Sequence, residues 1–267
     1  MAVDPEAPVP RYRQIAAQLA REIAERALPA EARIASEREL AQRFGISRMT
    51  ARAAINVLVR RGLLTRRSGA RAYVARPKIR FDLSSPEGLY RQLEHAGIQP
   101  GARVITAEKI PARAVALHVC RALALDDAEE VYRIVRLRTA DEEPIALEDS
   151  YFPVRLFPDL MDFRLSESIY GILKKYYGVA PAQSVQELEI SLLDPEWAHI
   201  MGVPVDLPTL EIRRVAFTAE GTPFECAHDI YRGDRIIFTT RTAGVPDPGS
   251  EAVRWQHVLD NLHQGLA

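Results

Sequence analysis

The chain has little of several residue types that usually reveal a protein's class. Its 267 residues contain two cysteines, Cys120 and Cys226, whose wide separation fits neither a disulfide framework nor a cysteine-based zinc site. No apolar run approaches the roughly 18 residues of a membrane-spanning helix, and the N-terminus lacks the basic and apolar regions of a signal peptide. We therefore expect a soluble, cytoplasmic protein without a membrane partner.

Sequence motifs for catalysis and for cofactors are also absent. The six histidines show no HxxxH or comparable spacing that would hold a metal. There is neither a glycine loop for binding phosphates nor a G-x-S-x-G nucleophile motif. We accordingly predict no catalytic residue, no metal ligand and no cofactor, and a protein that is not an enzyme.

Charge is distributed unevenly along the chain, although the net charge is only -1. Residues 1–80 contain 17 Lys and Arg against 7 Asp and Glu, whereas residues 81–267 contain 18 against 29. This asymmetry indicates a basic module fused to an acidic one, and the length fits two domains. The basic module is the one expected to bind nucleic acid.

The segment 36–55 has the pattern of two helices joined by a tight turn. Ser36 followed by Glu39 predicts a capping box at the start of the first helix. Gly45 predicts the turn, and Ser47 predicts the N-cap of the second helix. The pattern is that of a helix-turn-helix, although similar caps and turns also occur by chance in ordinary helical bundles.

The second of these helices has two chemically different faces. Ile55 and Leu58 fall at a spacing that lets them face a core, while Arg48, Arg52 and Asn56 follow one another at four-residue intervals on another face. Those polar side chains can bond phosphates and base edges. We predict that this helix binds DNA.

The flanking segments extend the helix-turn-helix to a winged domain over residues 9–76. An amphipathic helix is predicted at 12–27, and two short strands at 63–67 and 71–74 enclose a turn at Ser68-Gly69-Ala70. Three helices followed by a basic hairpin describe a winged helix-turn-helix.

These motifs resemble the DNA-binding domain of the GntR family of bacterial transcription regulators. The resemblance rests on Tyr12-Arg13-Gln14-Ile15, Ser36-Glu37-Arg38-Glu39-Leu40-Ala41 and Phe44-Gly45-Ile46-Ser47-Arg48-Met49-Thr50-Ala51-Arg52. It implies that DNA is contacted by Arg38, Arg48, Thr50 and Arg52, with Gly69 at the wing tip. We add Ser47 and Arg71 to this set. Arg71 occupies the position of a second wing glycine, and Ile34-Ala35 replaces the usual Leu-Pro.

Beyond an expected linker at 77–84, the chain has the pattern of an α+β domain over residues 85–243. A helix is predicted from Ser85 to about Ala96, and further helical segments lie near 112–120, 167–177 and 195–201. Six runs have strand character: 103–110, 130–139, 145–152, 184–192, 209–219 and 224–231. Short turns pair neighbouring runs as hairpins, so we predict a mainly antiparallel sheet. The tail, 244–267, has a helical apolar pattern and is either a dimer clasp or a loosely docked end.

The second domain resembles the effector-binding (UTRA) domain of the HutC-type branch of the GntR family, which has a chorismate-lyase-like fold. The motifs are Pro144-Ile145-Ala146-Leu147-Glu148, Ser168-Ile169-Tyr170 and Tyr231-Arg232-Gly233-Asp234-Arg235. The resemblance to members that bind amino-sugar phosphates implies a phosphate held by Arg136, Arg138, Ser168 and Tyr170, and a sugar lined by Glu148, Glu225 and Tyr231. A further phosphate-binding serine aligns with Gly88.

The residues alone leave two interpretations of this set. Arg136 and Arg138 point the same way from one strand and can converge on a small anion, with Glu148 and Glu225 orienting its hydroxyl or amino groups. Alternatively, these arginines and glutamates form ordinary cross-strand ion pairs on a solvated face.

The sequence therefore predicts a ligand-responsive regulator, most simply a repressor, that binds double-stranded operator DNA as a homodimer. Its effector would be a small anionic metabolite, preferably a phosphorylated sugar or amino sugar and otherwise a carboxylate. Two alternatives remain: a chorismate-lyase-like enzyme activity in the second domain, or an effector-independent DNA-binding protein.

Overall fold

The computed structural model describes residues 8–25, 28–67, 71–85 and 87–240, in two compact units divided between Ile79 and Arg80. The predicted wing tip at Gly69 and the tail at 244–267 lie outside the described residues. No helix in the described part of the chain is long and apolar enough to cross a membrane.

The first unit is a three-helix domain with a hairpin, as predicted. Its helices are α1 (Arg11–Glu25), α2 (Glu37–Phe44) and α3 (Arg48–Arg60), followed by the antiparallel strands β1 (Leu64–Arg67) and β2 (Arg71–Val74). Side chains from all three helices and from β1 form its core: Ile15, Leu19, Leu40, Ile55, Leu58 and Leu64.

The turn between α2 and α3 has the predicted capping. Ser36 Oγ accepts a hydrogen bond from the Glu39 backbone N–H at 3.2 Å, and Glu39 Oε2 accepts one from the Ser36 N–H at 2.6 Å. Gly45 has φ of 60°, the left-handed conformation that favours glycine. Ser47 Oγ then caps α3 by accepting from the Thr50 N–H at 3.1 Å. Local chemistry therefore fixes where the first of these two helices ends and the second begins.

The second unit is an α+β domain. In chain order its elements are β3 (Ile79–Asp82), α4 (Leu89–His95), β4 (Pro100–Pro111), α5 (Leu117–Ala122), β5 (Glu130–Ala140), β6 (Glu143–Pro153), α6 (Ile169–Ile172), β7 (Gln183–Leu192), α7 (Pro195–Met201), β8 (Pro208–Phe217), β9 (Pro223–Arg232) and β10 (Ile236–Thr239). A π-helical turn, Leu173–Tyr177, continues α6. Six strands form one antiparallel sheet in the order β4-β5-β6-β9-β8-β7, which confirms the predicted mixed fold.

Two predicted features differ from the structure. Part of the expected linker 77–84 is strand β3, which pairs with β10; Leu83 N–H donates to the Thr239 carbonyl at 2.8 Å. Strands of four residues are too short to show an alternating pattern, and this pairing joins distant parts of the chain. Helix α4 begins at Leu89 rather than Ser85, with Gly88 as its N-cap.

The two faces of the large sheet are covered differently. On one face, α5 and α7 cover apolar residues such as Val131 and Leu147. On the other face, the segment from Phe157 to Leu173 packs on Phe152 and Phe224. Next to that second cluster, the same face bears a group of charged side chains instead of apolar ones.

Candidate functional sites

Helix α3 separates core residues from polar residues as the sequence predicts. Ile55 and Leu58 are buried, whereas Arg48 and Arg52 are exposed and Met49 between them exposes 70% of its surface. Arg38 is also exposed, at the second position of α2. This first domain therefore presents arginines in solvent, where a phosphate or a base edge can reach them.

Two of the predicted DNA-contact residues, Ser47 and Thr50, also have local structural roles. Ser47 Oγ lies 2.9 Å from Thr50 Oγ1 while it caps α3. Arg71 is exposed at the first position of β2.

Arg66, on strand β1, connects the hairpin to the helix-turn-helix. Its Nη2 donates to Asn56 Oδ1 at 2.9 Å and to Glu37 Oε1 at 3.3 Å. Glu37 Oε1 is also 3.9 Å from Arg52 Nε. Asn56, which was expected to face DNA, is therefore engaged by the hairpin. The sequence pattern missed this role of Arg66 because its partners lie 10 and 29 residues away.

A cavity of about 640 Å³ lies on the face of the sheet that bears the charged side chains. All seven predicted effector residues line it: Arg136, Arg138, Glu148, Ser168, Tyr170, Glu225 and Tyr231. The strand register places the residues of β5, β6 and β9 on one face of the sheet, and Ser168 and Tyr170 come from the start of α6. The cavity also has hydroxyl groups at Ser84, Ser85 and Tyr90.

Within the cavity, Arg136 and Arg138 converge on Glu148. Arg136 Nη2 donates to Glu148 Oε2 at 2.6 Å, and Arg138 Nη1 lies 3.0 Å from both carboxylate oxygens. Arg136 Nη1 also donates to the backbone carbonyls of Leu165 and Glu167, each at 3.0 Å. The arginines thus form cross-strand ion pairs, but their side chains and that of Glu148 are buried, and they do not lie on a solvated face as the alternative interpretation expected.

The Glu148 carboxyl is held in its ionised form. Burial opposes ionisation, but Arg138 and Arg136 outweigh it and lower the pKa of Glu148 to about 2. Arg138 Nη2 is buried and has no hydrogen-bond partner among the described residues. Arg138 itself lines the cavity.

A second charged network, centred on Arg214 of β8, borders the first one. Arg214 Nη1 donates to Asp229 Oδ2 at 2.9 Å, and its Nε donates to Glu225 Oε2 at 3.3 Å. The Tyr170 hydroxyl donates to the same Glu225 oxygen. Arg214 lines the cavity, and Asp229 is fully buried opposite Glu148 in the strand register. Neither was predicted as a site residue, since only cross-strand register brings them here.

Burial raises the pKa of Asp229 to about 7, and Arg214 only partly offsets it. Asp229 Oδ1 has no partner in the described part of the chain, which is costly for an ionised carboxylate. When Asp229 is protonated, it places no negative charge beside Arg214, which favours an anionic ligand in the cavity.

The remaining predicted residues shape the cavity. Ser168 Oγ accepts from the Gly171 N–H at 3.1 Å and so caps α6. The Tyr231 ring packs against Phe81 and Phe238, with centroids 5.9 and 5.0 Å away. A Cβ on Gly88 would lie 3.2 Å from the Tyr170 ring, so this position is close-packed as glycine.

The described residues include no cluster of three or more His, Cys, Asp or Glu suited to a metal ion. Cys226 is buried, and burial raises the pKa of its thiol to about 12, which is unfavourable for a nucleophile.

Comparison with known proteins identifies both domains. Residues 11–74 match the bacterial regulatory proteins of the gntR family, and residues 95–237, more than half of the chain, match the UTRA domain. The chain belongs to the GntR family. It is a transcription regulator of the HutC-like type within that family, as the sequence motifs predicted.

Relatives of this GntR-family chain match it over nearly their whole length. The transcriptional repressor NagR of Bacillus subtilis is 34% identical over 238 residues, which are 89% of this chain and 97% of NagR. The repressor PhnF of Mycolicibacterium smegmatis is 30% identical over 206 residues, 76% of this chain and 82% of that protein. The PhnF crystal structure superimposes with a TM-score of 0.62 at 25% identity, covering 86% of this chain and all of PhnF.

Proposed function

We propose that this regulator is a cytoplasmic repressor that binds double-stranded operator DNA as a homodimer and is released by a small anionic metabolite. The observation that supports this most strongly is the cavity lined by Arg136, Arg138 and Arg214, since the first two are buried and Arg138 has an unpartnered donor. Related proteins are named as repressors, among them the mannosyl-D-glycerate transport/metabolism system repressor MngR of Escherichia coli, which is 26% identical.

The favoured ligand is a phosphorylated sugar or amino sugar, and a carboxylate is the second choice. Its anionic group would bond Arg138 Nη2 and compete with Glu148 for Arg136. Hydroxyls of Ser168 and Tyr170 lie in the same cavity, and Glu148 and Glu225 would accept bonds from the ligand's hydroxyl or amino groups. Tyr231 would pack against the sugar.

At the output end, Arg48, Thr50 and Arg52 on α3 would contact bases and phosphates, with Arg38 and Ser47 beside them. Gly69 and Arg71 remain the predicted contacts of the wing. A homodimer doubles the number of base pairs contacted and relates the half-site spacing to the protein's symmetry. The effector would weaken DNA binding by favouring the arrangement that binds operator poorly.

A thermal-shift screen of sugar phosphates, amino-sugar phosphates and small carboxylates tests the effector. A ligand at 100 times its Kd stabilises the protein by about 2.7 kcal/mol, so we expect a clear rise in Tm for some of them. Arg138→Gln should abolish that rise, and Arg91→Gln, an exposed change on α4, should retain it. A flat response to the whole panel would favour an effector-independent protein, and turnover of a compound would favour an enzyme.

A further inference from the structure

Asp229, in the middle of β9, carries a carboxyl group with no exposed surface. Its Oδ2 accepts a hydrogen bond from Arg214 Nη1 at 2.9 Å, whereas its Oδ1 is buried and has no partner among the described residues. Buried polar atoms are normally hydrogen-bonded, and a buried charge that lacks such bonds is costly. The protein therefore stabilises the ionised form of Asp229 only at one of its two oxygens.

Two further carboxyl groups lie close to Asp229. Glu148 of β6 is its direct cross-strand neighbour, so the two Cβ atoms are about 4.5–5.5 Å apart on one face of the sheet. Glu225 lies four residues earlier on β9, on the same face, and shares Arg214 with Asp229. The other titratable or charged groups that face this cluster come from α6, β9 and β5: Tyr170, Tyr231, Arg136 and Arg138.

These surroundings favour a proton on Asp229. Burial, and to a smaller extent Glu148 and Glu225, raise its pKa to about 7 against the opposing effect of Arg214. Arg214 also connects Asp229 to the effector cavity, which it lines together with Glu148 and Glu225. An anion that approaches Arg214 from the cavity therefore meets the negative charge of Asp229 when that carboxyl is ionised, and no such charge when it is protonated.

We propose that the effector cavity binds its anion together with a proton, which Asp229 takes up from solvent. The proposal rests on the anion-binding cavity of the proposed function and adds the pH dependence of that site. Because linkage is reciprocal, a bound anion raises the pKa of Asp229, and ionisation of Asp229 weakens anion binding by the same factor. The affinity is thus highest below about pH 7 and falls as the pH rises through the pKa of Asp229 in the free chain.

Sulfate binding to the full chain tests this proposal, since the charge of sulfate does not change between pH 6 and pH 8. Its affinity is obtained from the rise in Tm with sulfate concentration at constant ionic strength. Sulfate also stabilises proteins non-specifically, so the rise seen in Arg138→Gln is subtracted at each pH. We expect the wild-type chain to bind sulfate about tenfold more weakly at pH 8 than at pH 6, as the uptake of one proton predicts.

Two variants without the carboxyl group identify the proton acceptor. Asp229→Asn keeps the shape of the side chain and should bind sulfate equally at both pH values, with the affinity that the wild-type chain has at pH 6. Asp229→Ser provides a second uncharged side chain, of smaller volume. Asp149→Asn is the matched control, because Asp149 is next to Glu148 on β6, points to the opposite face of the sheet and binds Arg133. It should keep the wild-type pH dependence.

The outcomes separate this proposal from the proposed function. A wild-type affinity that is the same at pH 6 and pH 8 would overturn the proposal alone. So would a pH dependence that persists in Asp229→Asn and Asp229→Ser. If sulfate stabilises the wild-type chain no more than Arg138→Gln at either pH, the anion site of the proposed function is overturned as well.

Discussion

The two functional regions of this protein present their arginines in opposite ways. Arg38 and Arg48 of the first domain are exposed and make no ion pair with any described residue. Arg136 and Arg138 of the second domain are buried and paired with Glu148. A DNA surface can leave its charges in water until the duplex arrives, whereas a small-ligand cavity must neutralise buried charges internally. The cavity is therefore more tightly coupled to the stability of its own domain.

Replacing Glu148 should give the largest effect. Glu148→Gln leaves two arginines buried without their carboxylate, and breaking such a pair costs about 3–5 kcal/mol. Glu94→Gln, in the exposed pair with Arg91, should cost about 0.5 kcal/mol or less. Trp197 lies on α7 of the second domain, and neither tryptophan lies in the first domain, so urea unfolding followed by the fluorescence of Trp197 in a Trp255→Phe background reports on the second domain. If both variants lowered the free energy of unfolding by the same amount, the contrast between buried and exposed charges would not hold.

Asp229 should make the second domain sensitive to pH. Its pKa is raised to about 7 in the folded chain against an ordinary value of 3.8, so the folded state retains a proton that the unfolded state has lost. Its contribution to stability is present below about pH 4 and is lost as the pH rises to about 7. In Asp229→Asn, urea unfolding between pH 4 and 8 should show a flatter profile. An unchanged slope would place the pKa of Asp229 in its ordinary range.

On the DNA side, Arg52→Ala should weaken operator binding by about 1–3 kcal/mol if Arg52 contacts a base. Fluorescence anisotropy would measure this on a duplex selected from a random pool by the wild-type chain. Arg21→Ala removes an exposed arginine from α1 and serves as the control. Unchanged affinity in Arg52→Ala would exclude it as a contact. In contrast to Glu148, neither arginine should matter much to stability.

The smallest effects concern two glycines, one in each domain. Gly45 and Gly97 have φ of 60° and 71°, and no atom lies within 4 Å of a Cβ built on either. Replacing either glycine by alanine should therefore lower the free energy of unfolding by about 1–2 kcal/mol, through backbone strain alone. Gly45→Ala should accelerate hydrogen exchange in α2 and α3 while Gly97→Ala lowers the urea midpoint of the second domain. A much larger loss of stability in Gly45→Ala than in Gly97→Ala would mean that the turn also positions α2 and α3.

Local chemistry made the first domain predictable from the sequence. The Ser36–Glu39 capping box, Gly45 and Ser47 each act within a few residues, so their spacing specifies the structure. The six long strands were predicted because each is a run of about ten residues with strand character, and short turns separate neighbouring runs. Arg66, Arg214 and Asp229 could not be assigned in this way, since their partners come from other elements. Strands β3 and β10 are short and pair across most of the second domain.

The central claim is that the charged cavity controls DNA binding. Operator affinity should be measured by anisotropy for the wild-type chain and Arg138→Gln, with and without the most stabilising compound from the thermal-shift screen. We predict that the compound weakens wild-type binding about 5–150-fold, and that Arg138→Gln binds DNA normally but does not respond. A compound that stabilises the wild-type chain through the cavity yet leaves its operator affinity unchanged would contradict the account.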